Sequence, residues 1–178
     1  PIEAGGLLGP RPFGTDGLSR ELLMDIGELL ADGGVVLRSG ASSRRQALHT
    51  VAEAAAHTLG LPEGRIMEAL LEREALGSTG LGSGVAVPHA RLEGISRVTA
   101  VFVRLDTPVA YGAVDDRPVD LLFALFAPPC DGAEHLRALA AVSRALRSPE
   151  MREQLRQART VDAVRALFVR DQVSATAA

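Results

Sequence analysis

The sequence has few aromatic residues and no excess of positive charge, and each shortage excludes a class of function. Aromatic residues make up 3% of the 178 residues and tryptophan is absent, so there are few side chains on which bases or sugar rings could stack. The formal net charge is −3 at pH 7. Without a basic surface to attract phosphate backbones, a nucleic-acid partner is not expected.

Cysteine and long apolar runs are also scarce. Cys130 is the one cysteine, which excludes an intramolecular disulfide and a multi-cysteine metal cluster and suits a reducing compartment. The sequence shows no signal peptide, and no apolar run reaches the roughly 18 residues of a membrane span. We therefore predict a soluble, cytoplasmic protein with no segment inserted in a membrane.

Hydrophobic residues are abundant, at 47% of the chain, which is enough for a sizeable core, and the length predicts a single domain. Glycine and proline are dense near the start, so residues 1–17 are predicted to be a flexible lead-in. One domain is predicted over residues 18–169, followed by a frayed tail over residues 170–178.

The periodicity of apolar residues predicts helices before, between and after a group of strands. Helices are predicted from residue 18 to the Gly33–Gly34 pair, over 43–59, 62–76 and 132–146, from 149 onward, and over 161–168. Strands are predicted over 35–37, 85–88, 98–103, 107–110 (the weakest) and 119–126. The last of these is almost continuously apolar, as in a strand buried on both faces. This order predicts a layered α/β sandwich.

The densest chemical signal is REALGSTGLGSGVAVPHARL, residues 73–92. Its glycines allow backbone amides to turn toward an anion, and hydroxyl groups are available on Ser78, Thr79 and Ser83. A short strand then brings His89 to the rim of the sheet, with Arg73 before the loop and Arg91 after the histidine. Fixed cations near an imidazole suit a transferring phosphoryl group, whose charge is spread over three oxygens.

Taken alone, these features also have ordinary structural explanations. A glycine-rich loop is often only a loop, and this one is neither a P-loop nor a G-x-G-x-x-G motif. A lone histidine near a strand end is more often structural than catalytic. His89 and His135 without an acidic cluster would make a poor metal site, so no metal is expected. His49, His57 and Cys130 are interpreted as residues without a chemical role.

Three segments together resemble the IIA domains of the bacterial phosphoenolpyruvate-dependent phosphotransferase system (PTS EIIA), of the fructose/mannitol type. They are LLEREALGSTGLGSGVAVPHARL (70–92), VFVRLDTPVAYGAVDDRPVDLLFALFAP (101–128) and EHLRALAAVSRAL (134–146). Residues 109–118 are most similar to the nitrogen-regulatory branch, EIIA-Ntr. The resemblance identifies residues 18–169 as a type-2 EIIA domain and implies a central mixed five-stranded sheet with helices on both faces.

The resemblance also implies roles for individual residues. His89 would accept the phosphoryl group on its ε nitrogen while a backbone acceptor holds its δ nitrogen, and His135 and Arg73 would lie beside it. Thr79 and Ser83 are weaker candidates for contacts with phosphoryl oxygens, and Ser83 stands where asparagine is common in the regulatory branch. Such a phosphocarrier needs no cofactor, because its donor is itself a phosphohistidine on a partner protein.

Three functions remain open at this point. The first is a nitrogen-regulatory phosphocarrier that is charged by an HPr- or NPr-like protein and controls targets such as potassium-transport regulators or sensor kinases. The second is a subunit of a fructose or mannitol transport system that passes the group to a cysteine of an EIIB domain. The third is a regulatory module that acts by docking alone.

Overall fold

The computed structural model describes residues 24–176. The predicted lead-in, residues 1–17, and the first part of the first predicted helix lie outside this range. The helices are α1 (Ile26–Leu29), α2 (Arg44–Leu59), α3 (Glu63–Ala75), α4 (Gly132–Arg147), α5 (Pro149–Gln157) and α6 (Val161–Thr176). The strands are β1 (Leu30–Ser39), β2 (Gly80–Gly82), β3 (Val85–Ala86), β4 (His89–Arg91), β5 (Thr99–Val109) and β6 (Val119–Ala127).

The strands form one mixed sheet in the order β1-β5-β6-β3-β2, with β4 also paired to β6. β5 and β6 are antiparallel, whereas β1 runs parallel to β5, and both β3 and β4 run parallel to β6. The predicted mixed sheet is therefore confirmed, although it has six strands rather than five. The glycine-rich stretch supplies β2, two predicted strands join as β5, and β4 is an additional strand just beyond the predicted strand 85–88, of which β3 is the first part.

Both faces of the sheet are covered, as a sandwich requires. Side chains alternate along β6: Leu121, Phe123 and Leu125 pack with α1 and α4–α6, while Leu122, Ala124 and Phe126 pack with α2 and α3. Every one of these six side chains is at most 1% exposed, which explains the nearly continuous apolar sequence. Replacing Phe123 by alanine is expected to cost about 3–5 kcal/mol of stability because it would leave a cavity in this core.

Two boundaries differ from the sequence predictions. Helix α1 ends at Leu29, and β1 then runs through the glycine pair that was predicted to end a helix. Gly33 has a φ of +79°, and the pairing of β1 with β5 shifts register between Leu30 and Val35. Glycine adopts positive φ at little cost, so the strand absorbs an irregularity there and continues. At the other end, α6 continues past Phe168 to Thr176, into the predicted frayed tail.

Two helix ends meet at the rim of the sheet where β4 lies. Helix α3 places Arg73 in its last turn, and α4 begins after Asp131, whose side chain caps it by accepting the amide of Glu134. This cap starts α4 where His135 falls in its first turn. None of the helices among residues 24–176 has both the length and the apolar character needed to cross a bilayer.

Candidate functional site

His89 follows a break in the sheet. Proline has no amide hydrogen, so Pro88 cannot donate to β6, although its carbonyl accepts the amide of Leu125 at 2.9 Å. The amide of Val87 turns away from β6 and donates to the carbonyl of Thr79 at 3.0 Å. The carbonyl of Val87 then lies 2.9 Å from Nδ1 of His89, so the break provides a backbone acceptor for the imidazole.

The hydrogen bonds of His89 identify which nitrogen carries the proton. Nε of Arg73 donates to Nε2 of His89 at 3.0 Å. A guanidinium group can only donate, so Nε2 carries a lone pair and Nδ1 carries the hydrogen that is donated to Val87. Burial is the largest influence on the pKa of His89 and lowers it, and the positive charge of Arg73 lowers it further. The hydrogen bond to Val87 and the negative charge of Glu74 act in the opposite direction. The imidazole is therefore neutral near pH 7, with Nε2 as its nucleophilic atom.

Two nitrogens of the Arg73 guanidinium group, Nε and Nη1, donate hydrogen bonds. Its Nη1 donates to the carbonyl of Gly77 at 2.8 Å, while its Nε contacts His89. The carbonyl of Gly77 lies just beyond the end of α3, where a cation is favoured by the helix dipole. The bond to Gly77 thus orients the positive charge toward the imidazole.

His135 lies edge-on to His89, with ring centroids 5.5 Å apart and ring planes at 88°. The residue is 6% exposed, and both of its ring nitrogens are buried without a hydrogen-bond partner among the described residues. Burial lowers the pKa of His135, with further lowering from His89 and Arg91. A buried polar group without a partner costs about 1–3 kcal/mol, so the two ring nitrogens add nothing to the stability of the core.

These side chains line a cavity of about 460 Å³. Glu72, Arg73, His89, Arg91 and His135 supply its polar part, and leucines and alanines supply the rest. Leu76 and Leu136 stand at its edge with 85% and 68% of their surface exposed. Exposed apolar side chains around a polar centre are typical of a surface that meets another protein.

Thr79 does not line this cavity. It is buried behind the site, where its amide and hydroxyl both donate to the carboxylate of Glu74, at 2.8 and 2.7 Å. The hydroxyl also lies 3.1 Å from that of Tyr111. The side chain proposed as a phosphoryl contact is therefore committed to a neighbouring carboxylate instead.

Ser83 lies elsewhere as well. It follows the edge strand at a φ of +55°, its amide donates to Asp115 at 2.8 Å, and its carbonyl accepts from Arg156 at 3.1 Å. It lines a separate cavity of about 300 Å³ together with Arg147 and Arg152. The turn that contains Ser83 leads into β3, whereas His89 begins β4, and these strands pair with successive parts of β6.

Sequence reasoning missed Glu74 and Tyr111, which complete the buried cluster around Thr79. Glu74 lies in the segment 73–92 that carries the chemical signal, but a glutamate on a helix is usually exposed. Tyr111 is the one tyrosine of the chain, a signal that could have marked it. Burial raises the pKa of Tyr111, as does the nearby Glu74.

The remaining candidates have ordinary surroundings. His49 pairs with Glu63 at 2.7 Å on the surface, and Cys130 is exposed. Within residues 24–176, no three His, Cys, Asp or Glu residues come together in a way that could hold a metal ion.

Comparison with known proteins places this site in context. Residues 28–170 match the family described as "Phosphoenolpyruvate-dependent sugar phosphotransferase system, EIIA 2". The nitrogen regulatory protein of Bradyrhizobium diazoefficiens is 40% identical over 141 residues, which cover 79% of this chain and 92% of that protein. That of Escherichia coli K12 is 44% identical over 119 residues, covering 66% and 73%. The crystal structure of the nitrogen regulatory protein IIA-Ntr from Neisseria meningitidis is similar with a TM-score of 0.76 and 34% identity, covering 80% of this chain and 98% of that one.

Proposed function

The chain belongs to the EIIA 2 family of the phosphoenolpyruvate-dependent sugar phosphotransferase system, and from that premise we propose that it accepts a phosphoryl group on Nε2 of His89. The donor is the phosphohistidine of an HPr- or NPr-like carrier protein. One observation carries the proposal: Nδ1 is occupied by the carbonyl of Val87, and Nε2 holds a lone pair at the cavity beside Arg73. This arrangement suits a nucleophile that reacts at one nitrogen only.

The transfer moves one phosphoryl group between two imidazoles. The lone pair of Nε2 attacks phosphorus while the phosphorus–nitrogen bond of the donor breaks, and the leaving nitrogen keeps that electron pair. His89 retains the hydrogen on Nδ1, and the carbonyl of Val87 stabilises the positive charge that develops on the ring. Nε of Arg73 must leave Nε2 as the phosphoryl group arrives.

Arg73 and His135 then act on the phosphoryl oxygens. Once displaced from Nε2, the guanidinium group can donate charge-assisted hydrogen bonds to these oxygens. His135 can donate one hydrogen bond from its neutral ring, and its nitrogens have no partner among the described residues. A positive guanidinium and a free donor already in place reduce the reorganisation that the transition state requires.

The carrier protein would dock over the rim of the cavity. Leu76 and Leu136 offer exposed apolar surface at the cavity that contains His89, and Arg91 adds a positive charge there. A donor whose phosphohistidine projects from an apolar patch fits this rim, because the partner itself would then exclude water from the reacting atoms.

The downstream role that we propose is nitrogen regulation in the cytoplasm. The relatives described above are named nitrogen regulatory proteins, which supports a role in which phosphorylation controls binding to targets such as potassium-transport regulators or sensor kinases. The alternative is sugar transport, in which His89 passes the group to a cysteine of an EIIB domain. The family description, which names a sugar phosphotransferase system, favours this second candidate. Docking without transfer is the third.

The test is phosphoryl acceptance by the purified protein. When it is incubated with a phosphorylated HPr- or NPr-like carrier, the protein should gain acid-labile phosphate at His89. The variant His89→Ala should gain none, while His49→Ala, which alters a surface histidine, should be labelled like the unmodified protein. Labelling of His89→Ala at the normal rate would overturn the proposal.

A second step separates the alternatives. Addition of EIIB domains should leave the label in place if the role is regulatory and remove it if the role is transport. A protein that folds normally but gains no label from any carrier would support docking alone.

A further inference from the structure

A cluster of buried polar side chains lies behind His89, on the side away from the cavity. Glu74 is 7% exposed, Thr79 is 4% exposed and Tyr111 is 1% exposed. The carboxylate of Glu74 accepts the amide of Thr79 at 2.8 Å, the hydroxyl of Thr79 at 2.7 Å and the hydroxyl of Tyr111 at 3.4 Å. A buried carboxylate needs such donors because it has been removed from water.

The cluster connects to the imidazole through the backbone. The carbonyl of Thr79 accepts the amide of Val87, and the carbonyl of Val87 bonds to Nδ1 of His89. Three consecutive links therefore join the carboxylate of Glu74 to the nitrogen that must keep its hydrogen. None of them crosses the cavity, so none is displaced by an incoming phosphoryl group.

The segment that carries these links has little room to move. A Cβ added to Gly80 would lie 2.7 Å from the Cβ of Ala113 and 2.8 Å from its Cα, so β2 is in close contact with the loop before β6. Glu74 binds the amide and the hydroxyl of the preceding residue, Thr79. The segment is thus held between the end of α3 and that loop.

The last turn of α3 therefore reaches both nitrogens of the imidazole. Arg73 contacts Nε2 directly, and the next residue, Glu74, is connected to Nδ1 by hydrogen bonds through Thr79 and Val87. Adjacent helical residues point in directions about 100° apart, which sends one side chain to the cavity and the other into the protein.

We propose that Glu74 is a positioning residue for His89: through Thr79 it holds the carbonyl of Val87 in place, which keeps the hydrogen on Nδ1 and the lone pair on Nε2. The inference rests on the proposed function for its consequence, since a lone pair on Nε2 matters there for phosphoryl acceptance. The position of the hydrogen can nevertheless be measured without any transfer.

Two variants and two matched controls test the proposal. Glu74→Gln removes the charge but keeps the shape, and Thr79→Val removes the hydroxyl but keeps the charge of Glu74. Thr79→Ser retains the hydroxyl, and Glu68→Gln changes an exposed carboxylate on the same helix. For each protein, nitrogen NMR of the unphosphorylated His89 ring reports which nitrogen is protonated, and the initial rate of labelling by the phosphorylated carrier reports transfer.

We expect the hydrogen to be less strictly confined to Nδ1 in Glu74→Gln and Thr79→Val, because residue 79, and with it the carbonyl of Val87, is held less firmly while Arg73 still donates to Nε2. Labelling should slow about 10- to 100-fold, the usual effect of losing a group that orients a reacting side chain. Thr79→Ser and Glu68→Gln should match the unmodified protein in both measurements.

The ring signals overturn the inference if both variants keep the hydrogen on Nδ1 as firmly as the unmodified protein does. A change in Glu74→Gln alone would also overturn it, since that result indicates a direct effect of charge on the ring. If Glu74→Gln does not fold, Thr79→Val decides. If the unmodified protein is never labelled while the variants still shift the hydrogen, the proposed function fails and the positioning role stands.

Discussion

Two arginines sit against the ends of neighbouring short strands, and they differ in what they hold. Near β3, Arg156 donates to both carboxylate oxygens of Asp120 at 2.9 Å and to the carbonyl of Ser83. Near β4, Arg73 donates to an imidazole nitrogen that can itself react. Beside it, the two ring nitrogens of His135 have no hydrogen-bond partner among the described residues.

The difference lies in the charge of the group that each arginine binds. The partner of Arg156 is a permanent anion, so the pair is complete and fixes the hairpin of β2 and β3 against α5. The partners of Arg73 are a neutral ring and a backbone carbonyl, so its guanidinium makes no ion pair within residues 24–176, although the carboxylate of Glu72 also lines the cavity. An anion that enters this cavity can bind the guanidinium group of Arg73. The guanidinium group of Arg156 is already bound to the carboxylate of Asp120, so it offers an anion much less.

The largest expected effect is the contrast between the two arginines. Arg73→Ala should slow labelling of His89 about 100-fold or more, as loss of a donor to a developing anion does elsewhere. Arg156→Ala should leave labelling nearly unchanged but lower the free energy of unfolding by about 2 kcal/mol, since it leaves the half-buried Asp120 without its partner. Labelling rates and urea unfolding of both variants check this. The comparison would be wrong if Arg156→Ala slowed labelling strongly and Arg73→Ala changed only the free energy of unfolding.

His135 should show a loss of rate together with a gain in stability. His135→Leu removes two buried nitrogens that lack partners, so we expect the free energy of unfolding to rise by about 1 kcal/mol. Labelling should slow about tenfold because one donor to the phosphoryl group is lost. Urea unfolding and labelling rates measure both, with His49→Leu as the surface control. A large fall in stability would instead show that His135 serves the core.

The rate at which His89 is labelled should depend on pH through the pKa of its imidazole. The pKa of His89 is lowered in the folded protein, so Nε2 keeps its lone pair down to a pH below the ordinary value of about 6.5. Labelling should therefore hold steady from neutral pH to about 6.5 and fall only below it. Rates measured across this range with a carrier in excess test the prediction. A fall that begins above pH 7 would contradict it.

The free energy of unfolding should also fall as the pH is lowered below about 6.5. His89 and His135 both have lowered pKa values, so their unfolded forms bind protons first as the pH falls through about 6.5. The free energy of unfolding should be independent of these groups above that pH and decrease below it. His135→Leu should show a shallower decrease in urea unfolding than the unmodified protein. An equal slope in both would mean that His135 makes no contribution.

Ser83 should show the smallest effect. Ser83→Ala keeps the backbone groups that bind Asp115 and Arg156, and the residue lies away from the cavity of His89, so labelling should be unchanged. The same assay measures it, with Arg73→Ala as the positive control. Slowed labelling would show that a change at Ser83 affects the cavity of His89.

Much of the fold could be predicted because its main elements have distinct sequence patterns. Strand β6 was predicted to within one residue, since a continuous apolar run has few alternatives. The course of β1 could not be predicted, because Gly33 is compatible with either a helix end or a strand irregularity. Its pairing with β5, which is distant in sequence, decides between them.

The candidate site divides in the same way. The placement of Arg73 and His135 beside His89 was predicted from the family resemblance, and the structure brings these residues together. The surroundings of Thr79 and Ser83 were not predicted. A hydroxyl next to a glycine can face either side of the chain. The side that Thr79 faces depends on its contacts with Glu74 and Tyr111, and Tyr111 is distant in sequence.

The outer strands of the sheet have a consequence for solubility. β1 changes register along its length, and β2 spans only Gly80–Gly82. A long regular edge would present a row of unpaired amides and carbonyls on which strands of other copies could add. Both edges here are too irregular or too short to serve as templates. The sheet, as far as residues 24–176 describe it, therefore offers little template for polymerisation with other copies of the chain.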